Sequence, residues 1–269
     1  MAKNGAPMWI PIPVSDNLKA KAIFTTRHGG VSKAPYDSLN LSFQRDDSKE
    51  NVIRNFELLS KNSGIPMEYM VLTRQVHGSD ITVVNKEHCG MGLLRDRTFG
   101  ESDGLITADR NVALVTFHAD CVPIYLYDCS KKVIGLVHSG WRSTLQKIAA
   151  KAVRIMKEEF NCNSSDIKAV IGPCIQKCCF EVGADVYQEF LKVFPGSIDA
   201  FECINGKWKI DLVSIIINTL ADEDLSCENI HVVNRCTVCE NEFFFSHRGG
   251  HGISGTGAAL FMMTDEVDL

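Results

Sequence analysis

The run VALVTFHADCVPIYLYDCSKKVIGLVHSGWR, residues 112–142, decides the fold. Three apolar stretches within it, residues 112–117, 124–127 and 133–137, are rich in Val, Ile, Leu and aromatic side chains and are separated by short polar breaks, the composition of buried strands. Strands this close together predict antiparallel pairing. Past residue 142 the period changes: Leu145, Ile148, Ala149, Ala152, Met156 and Phe160 recur at intervals of three and four and predict one amphipathic helix packed on the sheet. Further strands are expected at residues 22–26, 71–76, 81–84, 168–171, 231–233 and 258–262, and shorter helices at 51–61, 184–194 and 212–221. Residues 89–104 carry several glycines and charges and predict a long loop. No repeat, low-complexity tract or Pro/Ser-rich linker interrupts the chain. The expectation is a single domain over residues 1–269, of mixed α/β (α+β) class, with largely antiparallel sheets flanked by helices.

Composition narrows the function. The 269 residues are 45% apolar and 23% charged, ordinary globular values, and a chain of this length can bury a core without disulfide or metal staples. The formal net charge of -5 gives no basic footprint for nucleic acid. The N-terminus lacks the pattern of a signal peptide, and no apolar run reaches the roughly 18 residues that span a bilayer, so a cytoplasmic protein without membrane partner is expected. Eleven cysteines are an odd number in a long chain, which favours thiols or metal ligands over a disulfide framework.

Three segments place a soft metal ligand where a strand is expected to end: TRQVHG with His77, HADCVP with Cys121 and GLVHSGWR with His138. One thiolate and two imidazoles suit tetrahedral Zn²⁺ and leave a fourth position open for water or substrate. Such an ion lowers the pKa of bound water or polarises a substrate atom, with Asp103 and Asp120 as nearby candidate proton acceptors. Spacing alone does not separate this reading from a buried thiol and two strand-end histidines.

The order and dress of the motifs go further. FTTRHGGVS (residues 24–32), SLNLS (38–42), TRQVHG (73–78), DGLIT (103–107), HADCVP (118–123), VHSGWR (137–142), GPCIQKCCFEVG (172–183) and ENEFFFSHR (240–248) follow one another across nearly the whole chain. In this the chain resembles the bacterial multicopper polyphenol oxidoreductase, or laccase-domain, family, now described as zinc-dependent purine nucleoside phosphorylases with adenosine deaminase activity. The resemblance implies His77, Cys121 and His138 as metal ligands and catalytic residues. It implies adenosine, inosine, guanosine and methylthioadenosine with phosphate as substrates, and a fold likened to a toxin deamidase with a Cys–His pair. The chain departs from the family in reading HSGWRS at residues 138–143 where relatives read HAGWRG, and in placing Ala258 after Thr256-Gly257 where relatives carry an arginine.

Phosphorolysis needs an anion site. The expected helix start after His138 offers amide groups and a positive dipole end, and Arg27, Arg74, Arg142 and Arg248 offer guanidinium groups. Each arginine is equally suited to a structural ion pair. Asn40 can bind ribose or form a turn. His118 is expected to line the pocket or to be a buried histidine with a hydrogen-bond partner, and His28 and His247 to bracket the substrate. Cys236-Thr-Val-Cys239 has the CxxC spacing of a zinc knuckle or redox pair, which Cys174, Cys178 and Cys179 can complete, against the plain alternative of structural thiols.

Two rival functions stand beside the phosphorylase. A copper polyphenol oxidase would use paired H-x-H motifs, and this chain has eight histidines and none in that pattern, although a lone His–Cys–His copper site is compatible. A metal-free cysteine hydrolase or deamidase would use Cys121 as nucleophile and His138 as base. The expected state is a monomer or small homo-oligomer.

Overall fold

In the computed structural model, which describes residues 5–265, two β-sheets lie face to face and helices cover both outer surfaces. One sheet has the order β1 (Trp9–Pro11), β2 (Ala20–Thr25), β14 (Gly257–Met263), β6 (Ala113–His118) and β3 (Met70–Leu72). The other runs β13 (Ile230–Val232), β9 (Ile167–Ile171), β7 (Val122–Asp128), β8 (Val133–Ser139), β5 (Gly104–Thr107) and β4 (Ile81–Val83). The interior pairs are antiparallel, and the parallel pairs β3–β6, β4–β5 and β9–β13 lie at the sheet edges. The mixed α/β class with largely antiparallel sheets is as expected. No helix among the described residues is long and apolar enough to cross a membrane.

Period-two alternation builds the layers. In β14, Ala259, Phe261 and Met263 face the core between the sheets, while Ala258, Leu260 and Met262 face α1 (Lys49–Ser63) through Val52, Phe56 and Leu59. In β7, Tyr125 and Tyr127 enter the inter-sheet core, and Ile124 and Leu126 face α3 (Ile148–Phe160) and α5 (Leu212–Ala221). Because both faces are covered, these strands read as unbroken apolar runs. Each fully buried Leu or Ile contributes about 1.5–3 kcal/mol. Tyr125 also pins the sheets together, its hydroxyl donating to Ile23 O at 2.7 Å.

The helix expected after His138 is in fact two. α2 (Trp141–Leu145) ends at Gln146, Lys147 takes a left-handed φ of 55°, and α3 starts afresh. The apolar spacing runs through the break because both pieces pack on the same core, so periodicity does not reveal it. The strand expected over residues 71–76 stops at Leu72, and the chain continues as a loop to β4. β5 sits at the end of the expected loop. A hairpin of β11 (Phe201–Ile204) and β12 (Lys207–Ile210), with β10 (Glu181–Val182) beside it and α4 (Ala184–Val193) packed near, was not expected. Its signal is Asn205-Gly206, both at positive φ, the dipeptide of a tight hairpin turn.

Candidate metal centre

β6, β7 and β8 deliver two of the three ligands from adjacent strand ends. Cys121 closes the turn between β6 and β7, and His138 lies next to the end of β8, opposite Pro123 of β7. His77 comes from the loop after β3 rather than from a strand end, with φ of 59°. The carboxylate of Asp103, just before β5, holds that loop: Oδ2 accepts from the N–H groups of Val76 (3.1 Å) and Gly78 (2.8 Å), and Oδ1 from that of His77 (3.0 Å). Asp103 Oδ1 also accepts from Nδ1 of His138 at 2.8 Å, which turns Nε2 of His138 away toward the other two ligands.

The donor atoms of His77, Cys121 and His138 all lie within 4.8 Å of one another, with Cys121 Sγ 3.8 Å from His77 Nε2. Two imidazoles and a thiol converging this closely, one imidazole oriented by a carboxylate, fit a tetrahedral ion with one position left over. Burial works against ionising Cys121, but the charge of His138 and hydrogen bonds from both histidines outweigh it and bring the thiol down to about 6. Burial likewise opposes protonation of His138, yet the Cys121 thiolate and Asp103 raise it to about 9. Burial raises Asp103, but His138 and the loop N–H groups outweigh it and hold the carboxyl below its ordinary 3.8. Without an ion, the three groups form a thiolate–imidazolium–carboxylate chain.

Gly140, the residue before α2, is where backbone must pass the ligands. A Cβ there would stand 2.8 Å from Cδ2 of His77 and 3.1 Å from Sγ of Cys121. Since its φ of -77° suits any residue, the demand is for space. Gly140→Ala is therefore expected to fold but to push the His77 and Cys121 donors apart, weakening metal binding by about tenfold or more. Competition with a chelator measures it, and unchanged affinity would refute the crowding argument.

The trio opens into a cleft of about 1160 Å³. Phe117, Trp141 and Phe180 give it aromatic walls, and Arg45, Arg97, Arg142 and Arg248 line it with guanidinium groups. The Arg142 guanidinium lies 4.1 Å over the Trp141 ring, and that of Arg248 5.9 Å over Phe180.

Residues 21–264 match the family model described as multi-copper polyphenol oxidoreductase laccase. The chain belongs to this laccase-domain family. Its relatives include the purine nucleoside phosphorylase YlmD of Geobacillus stearothermophilus, 35% identical over 96% of this chain and 95% of that protein. The YlmD of Bacillus subtilis is 33% identical over 89% and 87%. Among solved structures, the hypothetical protein YfiH of Bacillus licheniformis superposes with a TM-score of 0.91 at 31% identity, covering 97% of this chain and 98% of that one.

In this laccase-domain chain several expected residues do other work. Arg27 donates to Asn241 O and Asp37 O and lies over Phe245, bracing a loop. Asn40 is fully buried, its amide shared among Asp47, Ser42 and the N–H of Thr256. These bonds tie the turn at residues 40–42 to Thr256. Arg74 lies outside the cleft lining and pairs with Glu101. His118 is buried outside the lining, bonded to Thr116 Oγ1 and Cys121 O, and burial drives its pKa well down. His247 lines the cleft, whereas His28 packs against Phe243. Neither candidate proton acceptor is free: Asp103 is saturated as above, and Asp120 accepts from Thr237 Oγ1 and the N–H of Arg248. The five-residue α2 is a single turn and a half, too short to gather a helix dipole for an anion. Arg45 and Arg97 were missed because no local motif marks them. Arg45 lines the cleft and donates to Thr256 Oγ1 at 3.0 Å. Among the described residues, His77, Cys121 and His138 are the one histidine-containing group whose donor atoms converge closely enough to hold a metal ion.

Proposed function

We propose that the chain is a zinc-dependent purine nucleoside phosphorylase that cleaves adenosine, inosine, guanosine and methylthioadenosine with phosphate to the free base and ribose 1-phosphate. Deamination of adenosine to inosine takes place in the same cleft. The observation that carries the reading is the His77–Cys121–His138 trio at a cleft walled by both aromatic planes and guanidinium groups, in a chain whose relatives bear that name. His77, Cys121 and His138 would hold the zinc ion, which would supply Lewis-acid polarisation of a substrate atom. Phe117, Trp141 and Phe180 offer faces on which a purine packs, and the cleft is large enough for a nucleoside and an anion together. Arg142 and Arg248, joined by Arg45 and Arg97, bind phosphate, and Asp103 fixes the orientation of His138.

The test is incubation with adenosine, with and without phosphate and before and after chelation, resolving adenine, ribose 1-phosphate and inosine. Adenine is expected only with phosphate and only in the metal-loaded protein. Inosine formed without phosphate marks the deaminase reaction. Undiminished turnover by metal-free protein would replace this reading with nucleophilic catalysis by Cys121 and His138.

A further inference from the structure

Two turns far apart in sequence meet beside the cleft. One carries Cys178 and Cys179 before β10, the other Cys236 and Cys239 before the final strand. They are joined by an isolated backbone β-bridge, parallel, at Cys174 and Cys236 and by the N–H of Thr237 on Cys174 O. All four sulfurs lie within 4.8 Å of one another. The individual separations are 3.6 Å for Cys178–Cys179, 3.7 Å for Cys178–Cys236, 3.7 Å for Cys178–Cys239 and 3.4 Å for Cys179–Cys239. Sulfurs about 2.3 Å from a common centre at tetrahedral corners stand about 3.8 Å apart. A disulfide needs about 2.05 Å. Cys174, the fifth nearby thiol, is not part of the group; its sulfur accepts from Gln176 Nε2 at 3.1 Å.

We propose that Cys178, Cys179, Cys236 and Cys239 form a second, closed metal site that holds one soft divalent ion, zinc, as a tetrathiolate. Four Zn–S bonds form, and the protons of whichever thiols were protonated pass to solvent. The surroundings suit the resulting negative charge. Backbone N–H groups of Cys239, Gln176 and Val238 point at the Cys236 sulfur. Lys209 Nζ sits on Cys178 O at 2.9 Å, and Arg248 Nη1 on Cys179 O at 3.3 Å.

With four protein donors no position remains for substrate, so the ion is a brace. What it braces is the cleft wall. The turn of Cys178 and Cys179 bonds to Asp120 O through the N–H of Ile175, and the turn of Cys236 and Cys239 bonds to the Asp120 carboxylate through Thr237. Asp120 directly precedes Cys121 and holds the backbone of Arg248, whose guanidinium lines the cleft. The ion thus ties Arg248 and the Cys121 turn to one rigid unit, and its site is separate from the His77–Cys121–His138 trio.

The experiment compares metal content by elemental analysis in the wild type, in Cys178→Ser/Cys239→Ser and in His77→Ala/His138→Ala, with cobalt substituted for zinc as a spectroscopic probe. The serine variant is expected to hold one zinc fewer per chain than the wild type and to lose the intense tetrathiolate sulfur-to-cobalt bands, keeping only the weaker single-thiolate absorption of the Cys121 site. The histidine variant is expected to lose only the single-thiolate component and keep the tetrathiolate bands, which reports the four-sulfur site without touching its cysteines. Equal zinc in the serine variant and the wild type would overturn the proposal. So would a wild-type protein without tetrathiolate cobalt bands whose intact mass shows these thiols joined as disulfides. Because the readout is a difference of one ion and a sulfur-specific band, it stands or falls independently of the phosphorylase reading.

Discussion

Cys121→Ala is expected to empty the first site and lower phosphorolysis by about a thousandfold, the several kcal/mol that a Lewis acid contributes to a transition state. Cys121 is the one anionic donor of the trio, and two neutral imidazoles alone hold zinc weakly. The loss does not come from unfolding. Cys121 sits in the turn between β6 and β7, only partly buried, and its backbone carbonyl, which His118 uses, remains in the variant. The measurements are zinc per chain, expected to fall by one while the tetrathiolate signature of the cobalt protein stays, and the rate of adenine release from adenosine with phosphate. Wild-type rate with wild-type zinc would sink the assignment of the centre.

Asp103→Asn is expected to cut both stability and metal affinity. The Asp103 side chain is fully buried and accepts four hydrogen bonds, three from the loop of His77 and one from His138. An amide of the same shape has one accepting oxygen, and its NH₂ then faces N–H groups that need an acceptor. Leaving one or two of these donors unsatisfied in the interior costs about 2–4 kcal/mol. The same change replaces the anionic partner of His138 Nδ1 with a neutral amide, which holds that proton less firmly and presents the Nε2 lone pair to the ion less well. Metal affinity is expected to drop about 10–100-fold. Thermal unfolding of the metal-free variant reads the first effect, and chelator competition at a temperature where the fold is intact reads the second. A lower Tm with unaltered affinity and rate would reduce Asp103 to a loop anchor.

The two effects show how much of the site was legible beforehand. Motif order marked His77, Cys121 and His138 because each lies in a short, unusual segment. It also placed DGLIT among the motifs, yet the work of Asp103 was not readable: its four donors come from residues 76–78 and 138, which become neighbours only when β4, β5 and β8 pair. The placement of the arginines was the least legible part. Arg27, Arg74 and Arg142 are alike in sequence terms, but only Arg142 lines the cleft, since Arg27 is spent on Asn241 and Asp37, and Arg74 on Glu101. A net charge of -5 for the whole chain likewise gives no sign that four guanidinium groups converge on one cleft.

The fold followed the same division. Where a strand is covered on both faces, as in β7, β8 and β14, an unbroken apolar run reports it directly. Where geometry depends on a few backbone angles, pattern is silent: the left-handed Lys147 that separates α2 from α3, and the early end of β3, leave no trace in hydrophobic spacing. The Asn205-Gly206 turn is the exception, a backbone feature with a residue signature.

By itself, then, the sequence determined the class of the fold, the family and the trio of metal-ligand candidates, because burial and ligand chemistry are properties of residue type and order. Tertiary structure alone decided which carboxylate orients His138, which arginines face the cleft, that Gly140 leaves room for the ligands, and that Cys178 and Cys179 meet Cys236 and Cys239. Those are distances between residues remote along the chain, and only the pairing of strands and the packing of turns set them.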